Sequence, residues 1–106
     1  MIISNKSLNT FSSMLSKMND EILCNVLKAT ILKKLKRRGK WGHAHTSFDK
    51  LTSGIPKHLR GLAKKVAEEL IKEGLLLAKP TSYGLEVSLN PRRKAEIDRI
   101  IEEYLR

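Results

Sequence analysis

The residues best suited to chemistry sit in one stretch. RRGKWGHAHTS, Arg37 to Ser47, carries the only tryptophan, Trp41, and two of the three histidines, His43 and His45, directly behind a run of positive charge. On a strand, two imidazoles two residues apart share a face with Trp41, which is how a metal site can begin. Closing the site takes more donors. The remaining candidates, Cys24, His58 and Asp49, are joined to the pair by no ligand spacing. Nucleophilic catalysis needs a nucleophile, a base and an orienting group within reach. The chain has no G-x-S-x-G, no phosphate-cradling glycine loop and no marked pair of carboxylates. The expectation is therefore no metal, no cofactor, no catalytic residue and no enzyme. Cys24, alone among Ile22, Leu23, Val26 and Leu27, reads as a small buried hydrophobe in a reducing compartment.

Charge is the stronger signal. Twenty-one Lys and Arg against 11 Asp and Glu leave a net +10 on 106 residues. Such an excess implies a polyanionic partner, without by itself choosing among DNA, RNA, anionic lipid and an acidic protein. No apolar run approaches membrane-spanning length. The first residues lack the cationic start and apolar block of a secretion signal. A cytoplasmic, nucleoid-associated location is expected. The absence of glutamine beside abundant Lys and Glu hints at a thermophilic source.

The elements that must position these charges follow from periodicity. Asn19 or Asp20 caps a first helix over about residues 20–38. Its apolar positions are Leu23, Val26, Leu27, Thr30, Ile31 and Leu35, and Gly39 stops it. Leu32 points away from the main stripe, so the helix should pack on more than one side. Trp41 to Thr46 reads as a brief strand. Thr46 or Ser47 then caps a short helix, SFDKLTS, with Phe48 and Leu51 as core contacts. Pro56 opens a longer helix at its first position, with a stripe at Leu59, Leu62, Ala63, Val66, Ala67 and Leu70, and Gly74 ends it. LLLAKP and LEVSLN flank TSYG as a β-hairpin, with Glu86, Ser88 and Asn90 facing out. Asn90 caps a last helix begun by Pro91, with Ile97, Ile100, Ile101, Tyr104 and Leu105 on one side.

This order, carried by FDKLTSGIPKHLRGLAKKVAEELIKEGLLLAKP and YGLEVSL, resembles the winged helix-turn-helix family, small archaeal-type regulators among them. The resemblance implies an α+β, mostly helical fold. It would have a three-helix core, a short strand plus β-hairpin wing, and extra N- and C-terminal helices. The domain would span 20–90, with an N-terminal extension over 1–19 and a C-terminal helix over 91–106 that docks or dimerises. It also implies a sequence-specific duplex-DNA-binding protein, a transcriptional regulator, with its recognition helix over about 56–73 entering the major groove.

Turning about 100° per residue, Lys57, Gly61, Lys64 and Glu68 fall opposite the core stripe, with His58, Arg60 and Lys65 on the flanks. Arg and Lys suit guanine edges, so Lys57, Arg60 and Lys64 are the residues expected in the groove, with His58 and Lys65 beside them. Gly61 weakens a helix by about 1 kcal/mol relative to Ala. It either packs tightly against the preceding helix or lets backbone approach a phosphate or base edge. Lys40, Lys79, Arg92 and Arg93 are candidate phosphate contacts, and Tyr83, at the hairpin turn, either touches the backbone or packs. A second cluster, Lys33, Lys34, Lys36, Arg37, Arg38 and Lys40, exceeds what a helix dipole needs. Leu8, Phe11, Leu15 and Met18, and likewise Ile97, Ile100 and Tyr104, have 3-4 spacing. They would pair between chains in a homodimer or cover the first helix of their own chain. Two rival functions remain: an RNA-binding or ribosome-associated protein, and a protein–protein module.

Overall fold

The computed structural model describes residues 20–105. Leu8, Phe11, Leu15, Met18 and Asn19 lie outside the described residues. Among the described residues, three α-helices and a three-stranded antiparallel sheet make an α+β, mostly helical architecture.

Helix α1, Asp20–Arg37, starts on the acids Asp20 and Glu21 and ends on Lys34, Lys36 and Arg37, matching both ends of its dipole. Lys40 N–H bonds the Leu35 carbonyl and Gly39 N–H that of Lys36, each at 3.0 Å, which closes the last turn. Leu23, Val26, Leu27, Ala29, Ile31, Leu32 and Leu35 are all buried. They surround the helix because the helix Arg60–Lys72 packs on one flank and the helix Lys94–Tyr104 on another, which is the reason Leu32 departs from a single stripe. Thr30 is half-buried and returns its hydroxyl to the Val26 carbonyl at 2.7 Å.

The expected strand from Trp41 to Thr46 is largely a turn. Gly42 takes φ +55, a conformation that costs a Cβ-bearing residue energy, and Ala44 N–H bonds the Trp41 carbonyl at 3.0 Å. Trp41 keeps a single bridge to Leu89, and strand β1 is only Thr46–Ser47. Ser47, not Thr46, caps the next element by accepting from Asp49 N–H. That element, Phe48–Thr52, is a 3-10 helix and not an α-helix. It buries Leu51 and leaves Phe48 half-buried.

Helix α2, Arg60–Lys72, also starts later than its pattern suggests. Pro56 stands before the helix, and Lys57–Leu59 forms a 3-10 turn. No side-chain oxygen caps these N–H groups. The Leu59 N–H therefore bonds the Pro56 carbonyl three residues back, at 2.9 Å. At the other end, Gly74 at φ +82 lets Leu75 N–H reach the Leu70 carbonyl at 3.0 Å, and Leu70 and Leu75 are both buried.

Strands β2, Leu76–Thr81, and β3, Gly84–Leu89, form the hairpin, and the sheet order is β1-β3-β2. Pro80 is tolerated because β2 is an edge. Ser88 does not face solvent: it is 0% exposed on the central strand, and its hydroxyl has no hydrogen-bond partner among the described residues.

The hairpin is fastened at its root. Asn90 N–H bonds the Leu75 carbonyl at 3.0 Å, and the Asn90 side chain donates to the Gly74 carbonyl at 2.8 Å. Asn90 Oδ1 also accepts from Arg92 N–H at 3.0 Å, capping a 3-10 turn, Pro91–Arg93, ahead of α3, Lys94–Tyr104. Ile97 and Ile100 of α3 are buried in this chain's own core. That accounts for their spacing without a second chain. Among the described residues, no helix is long and apolar enough to cross a membrane.

Candidate nucleic-acid interface

The N-terminal half of α2 and the turn before it present one exposed face. Lys57, His58, Arg60, Gly61, Lys64 and Lys65 are all exposed, while Leu59, Ala63, Val66, Ala67 and Leu70 are buried. The core stripe thus fixes the rotation of the helix and turns the cations outward. Lys57, Lys64 and Lys65 form no side-chain hydrogen bond or ion pair among the described residues. Arg60 gives its Nε to the Ile55 carbonyl at 3.1 Å, which aims the guanidinium and leaves its two terminal nitrogens.

Gly61 decides between its two readings. It is exposed, and a Cβ built there would meet no atom within 4 Å. Tight packing against the preceding element is therefore not its reason. It is an α-helical glycine whose backbone is open to an approaching partner, at a cost of about 1 kcal/mol relative to Ala.

The other predicted contacts are scattered over separate elements. Lys79 is exposed and sits opposite Glu86 in the hairpin register. Tyr83 is 98% exposed at the turn, so it does not pack on the hairpin. The turn is held from within, with Thr81 Oγ1 donating to the Gly84 carbonyl at 2.7 Å and accepting from Tyr83 N–H at 3.2 Å. Lys40 is half-buried, and its carbonyl accepts from Leu89 N–H at 2.7 Å. Arg92 is exposed. Arg93 serves the fold instead. Its Nη1 donates to the Glu73 carbonyl at 3.0 Å, capping α2, and the rest of the guanidinium grips Glu96. That grip explains a cation at a helix start.

His43 and His45 do not share a strand face, because the Trp41–Ala44 turn intervenes. His43 is exposed, and His45 Nδ1 lies 4.0 Å from Glu86. Among the described residues, no three His, Cys, Asp or Glu side chains gather as a metal site. Cys24 is half-buried against the core. Burial, then Glu69 and Asp20, push its thiol pKa up, away from the reactive thiolate.

The basic run of α1 divides between two faces. Lys36 turns to α3 and pairs with Asp98 at 2.7 Å. Lys34 reaches the turn ahead of α2 and donates to the Lys50 and Ser53 carbonyls at 2.8 and 2.6 Å. Burial, then the neighbouring Arg38, lower its pKa. This clamp escaped sequence reading, since a lysine in a basic run gives no sign of which carbonyls it will meet.

No protein-family model matches the chain, and no curated protein or solved structure matches it either.

Proposed function

We propose that this chain is a winged helix-turn-helix protein that binds duplex DNA sequence-specifically and regulates transcription. In this reading α2 is the recognition helix, and its N-terminal half enters the major groove. Lys57, Arg60 and Lys64 reach base edges there, and Lys65, Lys40, Lys79 and Arg92 neutralise phosphates. The observation that carries the reading is the exposed face of α2. Three cations without carboxylate partners among the described residues flank a glycine with open space over its Cβ position. The element order supports it: α1, β1, a short 3-10 helix, a turn, α2 and a hairpin, with β3 between β1 and β2.

Binding of labelled duplex, competed by structured RNA and followed against salt, tests the reading. Duplex selectivity with a steep log–log salt slope of roughly 0.9 per phosphate neutralised is the expected result. Preference for the RNA competitor would move the assignment to RNA. No binding to either at low salt would leave the face to a protein partner.

A further inference from the structure

The face of α2 does not use the cations of α1. Lys33, Lys34, Arg37 and Arg38 line a groove of ≈ 490 Å³ between α1, the turn at Ser53–Ile55 and Leu105. Among the described residues, no carboxylate lines it, and Lys33, Arg37 and Arg38 have no side-chain hydrogen-bonded or ionic partner. Lys33 with Arg37, and Lys34 with Arg38, are like charges one helical turn apart, an arrangement that destabilises a helix unless an anion offsets it. The floor is of another character. Leu51 and Ile55, 1% and 4% exposed, line the groove, and Leu105 closes one side. Lys34 is held by the Lys50 and Ser53 carbonyls. It supplies fixed charge beside three long side chains that can close on a ligand.

A free phosphate or a strand of nucleic acid would need only the charge. The apolar floor adds a second requirement. The volume falls within the ~300–1,000 Å³ of small-molecule sites.

We propose that this groove binds a small organic anion. Its carboxylate or phosphate group is held by Arg37 and Arg38, whose forked guanidinium groups suit planar or bidentate anions, with Lys33 alongside. Its apolar body lies on Leu51 and Ile55. The site rests on this geometry and stands independently of the nucleic-acid reading.

Titration of the ¹⁵N-labelled full chain with acetate, butyrate, hexanoate and octanoate, and with inorganic phosphate, tests it. Amide shifts concentrated at residues 30–38 and 51–55 are expected. Affinity should rise along the carboxylate series, by up to about fourfold per buried methylene. Arg37→Gln with Arg38→Gln removes the charge and leaves a shorter polar side chain, and should weaken octanoate at least about tenfold. Lys64→Ala with Lys65→Ala should leave octanoate binding unchanged. Equal affinity across the series, shifts just as strong along α2, or an unaffected Gln variant would each overturn the proposal. A duplex that moves the same amides while the series stays flat would also overturn it, and would leave DNA binding in place. Octanoate binding as described, in a chain that binds no nucleic acid, would sustain the site and remove the proposed function.

Discussion

Helices α2 and α3 carry the same charges at the same spacing and use them differently. In α3, Lys94 meets Asp98 at 2.7 Å and Arg99 meets Glu103 at 3.4 Å, each four residues on, and Arg93 grips Glu96. Lys36 of α1 comes across to share Asp98. In α2, Lys64 and Lys65 precede Glu68 and Glu69 by the same four residues, and neither pair closes within 4 Å. An exposed pair of this kind stabilises a helix by only ~0.3–0.5 kcal/mol, so spacing alone does not decide whether it forms. In α3 the Asp98 carboxylate is shared by a third side chain from another helix, whereas Lys64 and Lys65 of α2 have no such anchor among the described residues. One helix uses its charge to hold the fold together. The other keeps its charge available.

Removing the available charge should have the largest effect. Lys57→Ala, Lys64→Ala and Lys65→Ala together should cost about 1–3 kcal/mol of sequence discrimination for each of the base contacts of Lys57 and Lys64, and should lower the log–log salt slope of duplex binding by about 0.9 for the phosphate contact of Lys65. Thermal stability should move by no more than about 0.5 kcal/mol. A slope unchanged by the triple variant would erase the distinction between the helices.

Lys34→Met tests a cation that is already committed. It keeps the stem and removes the grip on the Lys50 and Ser53 carbonyls. Charge-assisted bonds of this type suggest a loss of about 1–3 kcal/mol, measured by urea denaturation.

Gly61→Ala should separate stability from function. With open space over the Cβ, it should raise stability by up to about 1 kcal/mol and weaken duplex binding if the backbone lies against the groove. A gain in stability with unchanged binding would make Gly61 incidental.

Asp98→Asn should do least. Hydrogen bonds from Lys36 and Lys94 hold the Asp98 carboxyl below its usual value of 3.8, against a smaller opposing effect of burial. A carboxylate with a depressed folded pKa stabilises the fold above its unfolded pKa, and that contribution is lost as pH falls through the folded value. The variant should cost no more than about 1 kcal/mol near neutrality. The gap should close in acid melts below pH 3.8, and duplex binding should stay intact.

The helices and the hairpin are legible in the sequence because periodicity and punctuation agree. The stripe from Leu59 to Leu70, ended by Gly74, and the alternation around Ser82 and Tyr83 admit few other readings. The first turns are not legible. Pro56 promises a helix start, but without a capping side chain the chain tightens into a 3-10 turn. Gly42 bends a segment whose alternation reads as strand. Ser88 reads as solvent-facing because a one-strand pattern cannot show what covers the second face of a central strand. The outward face of α2 is visible from its core stripe. Which cations stay unpaired is not, since Lys36–Asp98 and Arg93–Glu73 join residues 62 and 20 positions apart.

The fastening at the hairpin root has a mechanical consequence. Residues 75 and 90 are bonded to each other, and the same junction holds the end of α2 and the start of α3. The hairpin is therefore a lever with its pivot set into two helices, and a load on Tyr83 at its tip is carried to both. It cannot peel away by itself. Amides near the tip should exchange with solvent by local fraying, while that of Asn90 should wait for the whole body to open.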